Sequence, residues 1–153
     1  MINAGKFVVL TLDERRYALS LSAVKRIVRL VEISPLPKAP GIILGVINFE
    51  GRIIPVVNLR ERFRLPERQA RLSDQLIIAS TAQQMVAMVA DAVTEVIERT
   101  QEEVTRAEQI FHGLEYVEGA IKMEDGIVLI HDLRTFLSVE EERTLDEALR
   151  LTA

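Results

Sequence analysis

One block of this chain occurs twice, and that repetition limits the fold more than any other feature. Residues 45–60 and 119–134 align without a gap at an offset of 74. Gly45, Ile47, Glu50, Ile53, Leu59 and Arg60 each meet an identical residue. A weaker echo precedes it at an offset of 69, where 17–24 falls on 86–93 and Ile27-Val28 falls on Val96-Ile97. Two long units in the same order imply two similar folded halves; a solenoid needs three or more shorter repeats. Between two such halves lies a seam, which is a natural place for a docking groove.

The residues between the repeats read mostly as short strands. Residues 7–12 and 17–21 are β-rich and flank a polar turn, which predicts a hairpin. Residues 23–29 read as a short helix capped by Ser22, because Val24, Ile27 and Val28 recur at helical spacing. Pro35, Pro37 and Pro40 force an irregular crossing. The repeated block folds as a hairpin about Glu50-Gly51, with Gly51 supplying positive φ and Pro55 demanding an edge or a bulge. Residues 64–75 form a polar connection. Leu76 to Ser80 and Met85 to Ala90 open the second half, and Asp91 caps a second short helix around Val93, Val96 and Ile97. The second copy of the hairpin turns over 124–126. Ser138 and Glu141 are spaced as a capping box for a final helix through Leu151. The expected fold is therefore mainly β: two five-stranded barrel halves over roughly 1–72 and 73–138, with a C-terminal helix over roughly 139–151. Barrel closure removes exposed sheet edges.

Chemistry is scarce. Cysteine is absent, which excludes disulfides and thiolate sites. No phosphate loop, nucleophile elbow or metal-spaced histidine cluster occurs, so no catalytic residue, cofactor or metal is expected. His131 and Asp132 are adjacent, but strand neighbours point to opposite faces, and His131 matches Val57 of the first copy; packing explains it better than catalysis. His112 reads as a solvated loop histidine. Asn58-Leu59-Arg60 and Asp132-Leu133-Arg134 read as a duplicated strand-end turn with a capping Asn or Asp and a buried Leu. A net charge of −4 and seven aromatics (two Tyr, five Phe) argue against a nucleic-acid binder. No apolar run approaches the ~18 residues of a membrane helix, and the expectation is a cytoplasmic protein.

The pattern Val24-x-x-Ile27-Val28, then Ile33-x-Pro35-x-Pro37, then Gly45 through Asn58-Leu59-Arg60 and Phe63, resembles the CheW family of chemotaxis coupling proteins. The resemblance covers essentially the whole chain. It implies a non-enzymatic adaptor of two SH3-like barrels that binds the regulatory domain of a CheA-type histidine kinase and the cytoplasmic tip of a chemoreceptor. It places the receptor in the groove between the halves and the kinase on the exposed apolar end of the first half. Carried onto this chain, it marks Val24, Arg26, Ile27, Asn48, Phe49, Glu50 and Arg60 as partner-binding.

Two positions depart from the family pattern. Glu50 stands where the family writes arginine, and Arg26 where it writes glutamate. The expectation is a charge pair of swapped polarity, with independent surface charges as the alternative. Ile27 is expected to be half buried and Val24 more exposed. Other classes left open are a small-molecule sensor of the same fold and an isolated kinase regulatory domain.

Overall fold

The computed structural model describes residues 5–106 and 116–152; the histidine at 112 lies outside them. Eleven strands in the described residues form two sheets. The strands are β1 (Gly5–Leu12), β2 (Arg15–Ser20), β3 (Val24–Arg29), β4 (Ile43–Phe49), β5 (Arg52–Val57), β6 (Gln75–Ser80), β7 (Met85–Ala90), β8 (Ala92–Arg99), β9 (Val104–Arg106), β10 (Val117–Met123) and β11 (Gly126–His131). A one-turn helix, α1 (Leu59–Arg62), follows β5, and α2 (Val139–Thr152) ends the described chain.

The strand orders are β8-β1-β2-β11-β10-β9 and β3-β6-β7-β5-β4. Shifted by the repeat offsets, β1, β2, β8, β10 and β11 match β6, β7, β3, β4 and β5, so the two sheets share one order. The sheets nevertheless cut across the 1–72 and 73–138 division. The first-copy hairpin β1–β2 sits among second-copy strands, and the second-copy hairpin β6–β7 sits among first-copy strands. Two parallel pairings, β2 with β11 and β5 with β7, join the copies. Sequence similarity marks the repeated unit, but the hairpins are exchanged between units, and nothing in local patterning encodes that exchange.

Residues 23–29 and 92–99 are not helices; β3 and β8 occupy them. Each strand carries a bulge at the same repeat position, Lys25 opposite β6 and Thr94 opposite β1. A bulge advances the strand by one residue and re-aims the side chains beyond it. Val24 thus packs on one core and Val28 on another, while Ile27 faces out. The resulting i, i+3, i+4 spacing imitates a helix. Only the 3-10 turn Leu21–Ala23 precedes β3. A second pair of matching bulges falls at Leu44 and Glu118 in the duplicated hairpin.

Apolar residues gather in three clusters. Ile47, Ile54, Leu76 and Ile78 fill one barrel. Phe7, Ile121, Val128 and Ile130 fill the other. The largest cluster lies between the sheets, where Leu10, Leu12 and Leu19 meet Val57, Ile77 and Met88, sealed by Phe136 and Leu145. The seam is thus a packed core beneath its surface. α2 covers it: Ser138 Oγ accepts the Glu141 N–H at 3.1 Å, Glu141 Oε1 accepts the Ser138 N–H at 2.8 Å, and Leu145 and Ala148 point inward.

Two strained positions fix the first hairpin. Glu50 and Gly51 have φ of 51° and 81°, the pair of positive values a two-residue turn requires, and Asn48 Oδ1 accepts the Gly51 N–H at 3.0 Å. At Gly45 the Ser34 segment crosses β4 through two 2.8 Å backbone bonds to Val46. A Cβ at Gly45 would collide with the Ser34 carbonyl oxygen and lie 2.9 Å from Ile33 Cγ2. Pro55 lies outside the short β5–β7 ladder, which holds only Val56 and Val57, so β5 is locally an edge where its N–H is missing.

Candidate docking site

β3 and the β4–β5 turn stand at opposite ends of one sheet's strand order, and their side chains meet. Arg26 Nη1 lies 3.5 Å from Glu50 Oε1, and its guanidinium sits 5.6 Å above the Phe49 ring. Arg26 and Glu50 form the expected pair, and the pair closes the barrel across its two free edges. Both side chains are more than half exposed, so the pair contributes at most about 1 kcal/mol. Asn48 and Glu50 face solvent, and Phe49 is half buried against the barrel core.

Val24 and Ile27 reverse the expectation. Val24 is half buried against the seam cluster, whereas Ile27 is exposed. Beside Ile27 stand Lys25 and Arg29, also exposed. Leu44 and Ile53 add exposed apolar surface on the outer side of the duplicated hairpin.

Arg60 does not join this surface. Asn58 caps α1 by accepting the Glu61 N–H at 3.2 Å, which drives Leu59 into the seam and turns Arg60 inward. There Arg60 reaches Asp13 at 2.8 Å, Asp91 at 2.9 and 3.1 Å and the Pro66 carbonyl at 3.0 Å. Arg68 grips Asp74 at 2.8 and 3.0 Å and also bonds Asp91, whose other oxygen accepts the Asp13 N–H at 2.9 Å. Burial alone would raise the Asp74 and Asp91 carboxyls. The arginines and backbone N–H groups outweigh it and hold both below the usual aspartate value. Asp91 therefore clamps the β1–β2 turn to the 64–74 connection and caps no helix. No local sequence signal announces this knot, since its five members come from four separate segments. The repeat partner of Arg60, Arg134, is exposed and pairs with its neighbour Asp132.

A cavity of about 530 Å³ beside the knot is lined by Ile33, Leu44, Arg60, Glu67, Arg68 and Val89. Both guanidiniums facing it are already committed to aspartates. His131 is buried with Tyr17, Phe63 and Phe136 around it, and its ring nitrogens make no hydrogen bond of proper geometry. Burial pulls its pKa to about 4, an effect the Tyr116 backbone opposes. Asp132 turns away to accept the Arg134 N–H at 3.0 Å. The pair offers no acid–base couple, and His131 packs the seam.

No helix among the described residues is long and apolar enough to cross a membrane. A chemotaxis protein CheW of Treponema pallidum (strain Nichols) is 28% identical over 152 residues, covering 94% of this chain and 89% of its own length. A second, from Bacillus subtilis (strain 168), is 27% identical over 144 residues, covering 91% and 90%. The crystal structure of the scaffolding protein TtCheW from Thermoanaerobacter tengcongensis superposes with a TM-score of 0.81 at 31% identity, covering 91% of this chain and 96% of that one. The CheW-like domain model matches residues 6–141. With both barrels and the exchanged hairpins inside the matched residues 6–141, the chain belongs to the CheW-like domain family.

Proposed function

We propose that this protein is a chemosensory adaptor that couples chemoreceptors to a CheA-type histidine kinase through its regulatory domain. It works by occupancy: holding both partners lets a change in receptor conformation bias the kinase equilibrium. The observation that carries the reading is the match, over 91% of this chain, to a scaffolding protein at a TM-score of 0.81. The receptor tip lies along the seam beside Val24 and Ile27, and the kinase domain meets the exposed apolar end of the barrel that carries Leu44 and Ile53. Asn48, Phe49 and Glu50 lie between these surfaces, and Arg26 ties them together.

The test is a pull-down of the purified chain with a CheA-type regulatory domain and a soluble receptor cytoplasmic fragment from the same cell. Retention of both supports the reading, and retention of neither removes it. Exchanging the charges, Arg26→Glu with Glu50→Arg, keeps the pair while reversing the field shown outward. An altered partner preference with an unchanged fold would assign the pair to recognition. Arg60, spent inside the aspartate knot, is left out of the partner surface.

A further inference from the structure

β3 and β8 are repeat counterparts, and each is one of the two edge strands of its sheet. They flank the seam. Gln75 pairs with Arg29 at the end of β3, and its side-chain oxygen accepts the N–H of Val93, near the start of β8, at 2.8 Å. At the other end, Ser20 leads into β3 and pairs with Phe7, which pairs with Ile97 of β8. The two edges therefore run in opposite senses along the seam, with no ladder between them. Val24 and Val93 both rest on the seam core as a shared floor. One step outward, the equivalent residues Ile27 and Val96 are 37% and 53% exposed.

The charges on the two edges are opposite. β3 presents Lys25 and Arg29 beside Ile27, and its Arg26 already has Glu50. β8 presents Glu98 on the face of Val96, while Glu95, the counterpart of Arg26, points to the opposite face. The repeat sets Arg26 against Glu95 and Arg29 against Glu98. Among the described residues, none of Lys25, Arg29 and Glu98 takes part in an ion pair.

We infer that this trough reads the charge polarity of the helix it binds: it takes a receptor helix whose apolar ridge carries acidic residues along the flank facing β3 and basic residues along the flank facing β8. The inference rests on the adaptor reading and deepens it. Turning a helix end for end exchanges its flanks, so the asymmetry fixes the direction in which the helix lies. Exposed charges add little to affinity individually, but they set register and reject partners that oppose like with like.

The experiment measures binding of a soluble receptor cytoplasmic fragment, and separately of the kinase regulatory domain, to the full chain and two variants. One variant carries Lys25→Glu and Arg29→Glu, the other Glu98→Lys; melting curves check that both stay folded, with the neutral pair Lys25→Gln and Arg29→Gln as a milder substitute. Each reversal should weaken receptor binding about tenfold or more at low salt, with the loss shrinking as salt screens the repulsion, while kinase-domain binding holds. Equal receptor affinity across all variants overturns the inference and leaves the adaptor reading standing. A wild-type chain that binds neither fragment removes that reading and this one with it. If the reversals instead change only self-association in sedimentation, the complementary edges serve a second copy of the chain, and the inference fails.

Discussion

Replacing Arg60 with methionine keeps much of its volume and removes its charge from the knot. Cutting one partner from a buried ion pair costs roughly 3–5 kcal/mol when the remaining charge is stranded. Here the stranding is partial. Asp91 keeps Arg68 and the Asp13 N–H, and the Asp13 side chain is 38% exposed and can rehydrate. The Pro66 carbonyl loses its donor. The expected loss is therefore about 2–3 kcal/mol, equivalent to roughly 4–12 °C in melting temperature for a chain of this size. Urea denaturation monitored by circular dichroism measures it, with Arg134→Met as the matched control. Arg134 is the same residue in the second copy, but it is exposed and should cost under about 0.5 kcal/mol. A double-mutant cycle of Arg60→Met with Asp91→Asn should return a coupling above about 1 kcal/mol. Equal, small losses at Arg60 and Arg134 would show that the knot carries no special weight.

His131 is neutral and buried, with a pKa near 4 against 6.5 when unfolded. The unfolded chain binds the extra proton between those values, so stability should fall as pH drops from 6.5 to 4, by about 3 kcal/mol in all; His131→Phe should flatten that slope in urea melts. The lowered Asp74 and Asp91 carboxyls act lower still: their contribution is present above the unfolded aspartate value and disappears as pH falls through the folded ones, and Asp74→Asn should blunt the acid limb. Gly45→Ala drives a methyl into the Ser34 carbonyl and should destabilise by roughly 1–3 kcal/mol, with raised hydrogen exchange at Ser34 and Val46 as its local mark. Because β1–β2 depends on β8 and β11, residues 1–72 alone should stay unfolded and should regain β structure by circular dichroism only when mixed with 73–153.

Legible in the sequence was whatever repeats or caps locally. The duplicated hairpin, its Glu50-Gly51 turn, the Asn58 and Asp132 caps and the Ser138 capping box all rest on residues within a few positions of each other. β3 and β8 imitate helices because a bulge at Lys25 and Thr94 shifts the strand's phase, so Val24 and Val28 serve different cores at a helix-like spacing. Val24 and Ile27 exchange their expected exposures because Val24 rests on the seam core and Ile27 lies beyond it. The hairpin exchange and the Arg60 knot depend on contacts between distant segments; identical residues in the two copies, Arg60 and Arg134, end with opposite burial. The Arg26–Glu50 pair was foreseeable because both departures from the family pattern carry opposite signs.

If this chain joins two proteins by being held between them, the assembly itself can be weighed. Analytical ultracentrifugation of a receptor cytoplasmic fragment, a kinase regulatory domain and this chain, alone and in every combination, does so. One larger particle containing all three should form, and it should be missing from the mixture without this chain. A receptor fragment and kinase domain that sediment the same with or without it would contradict the adaptor role.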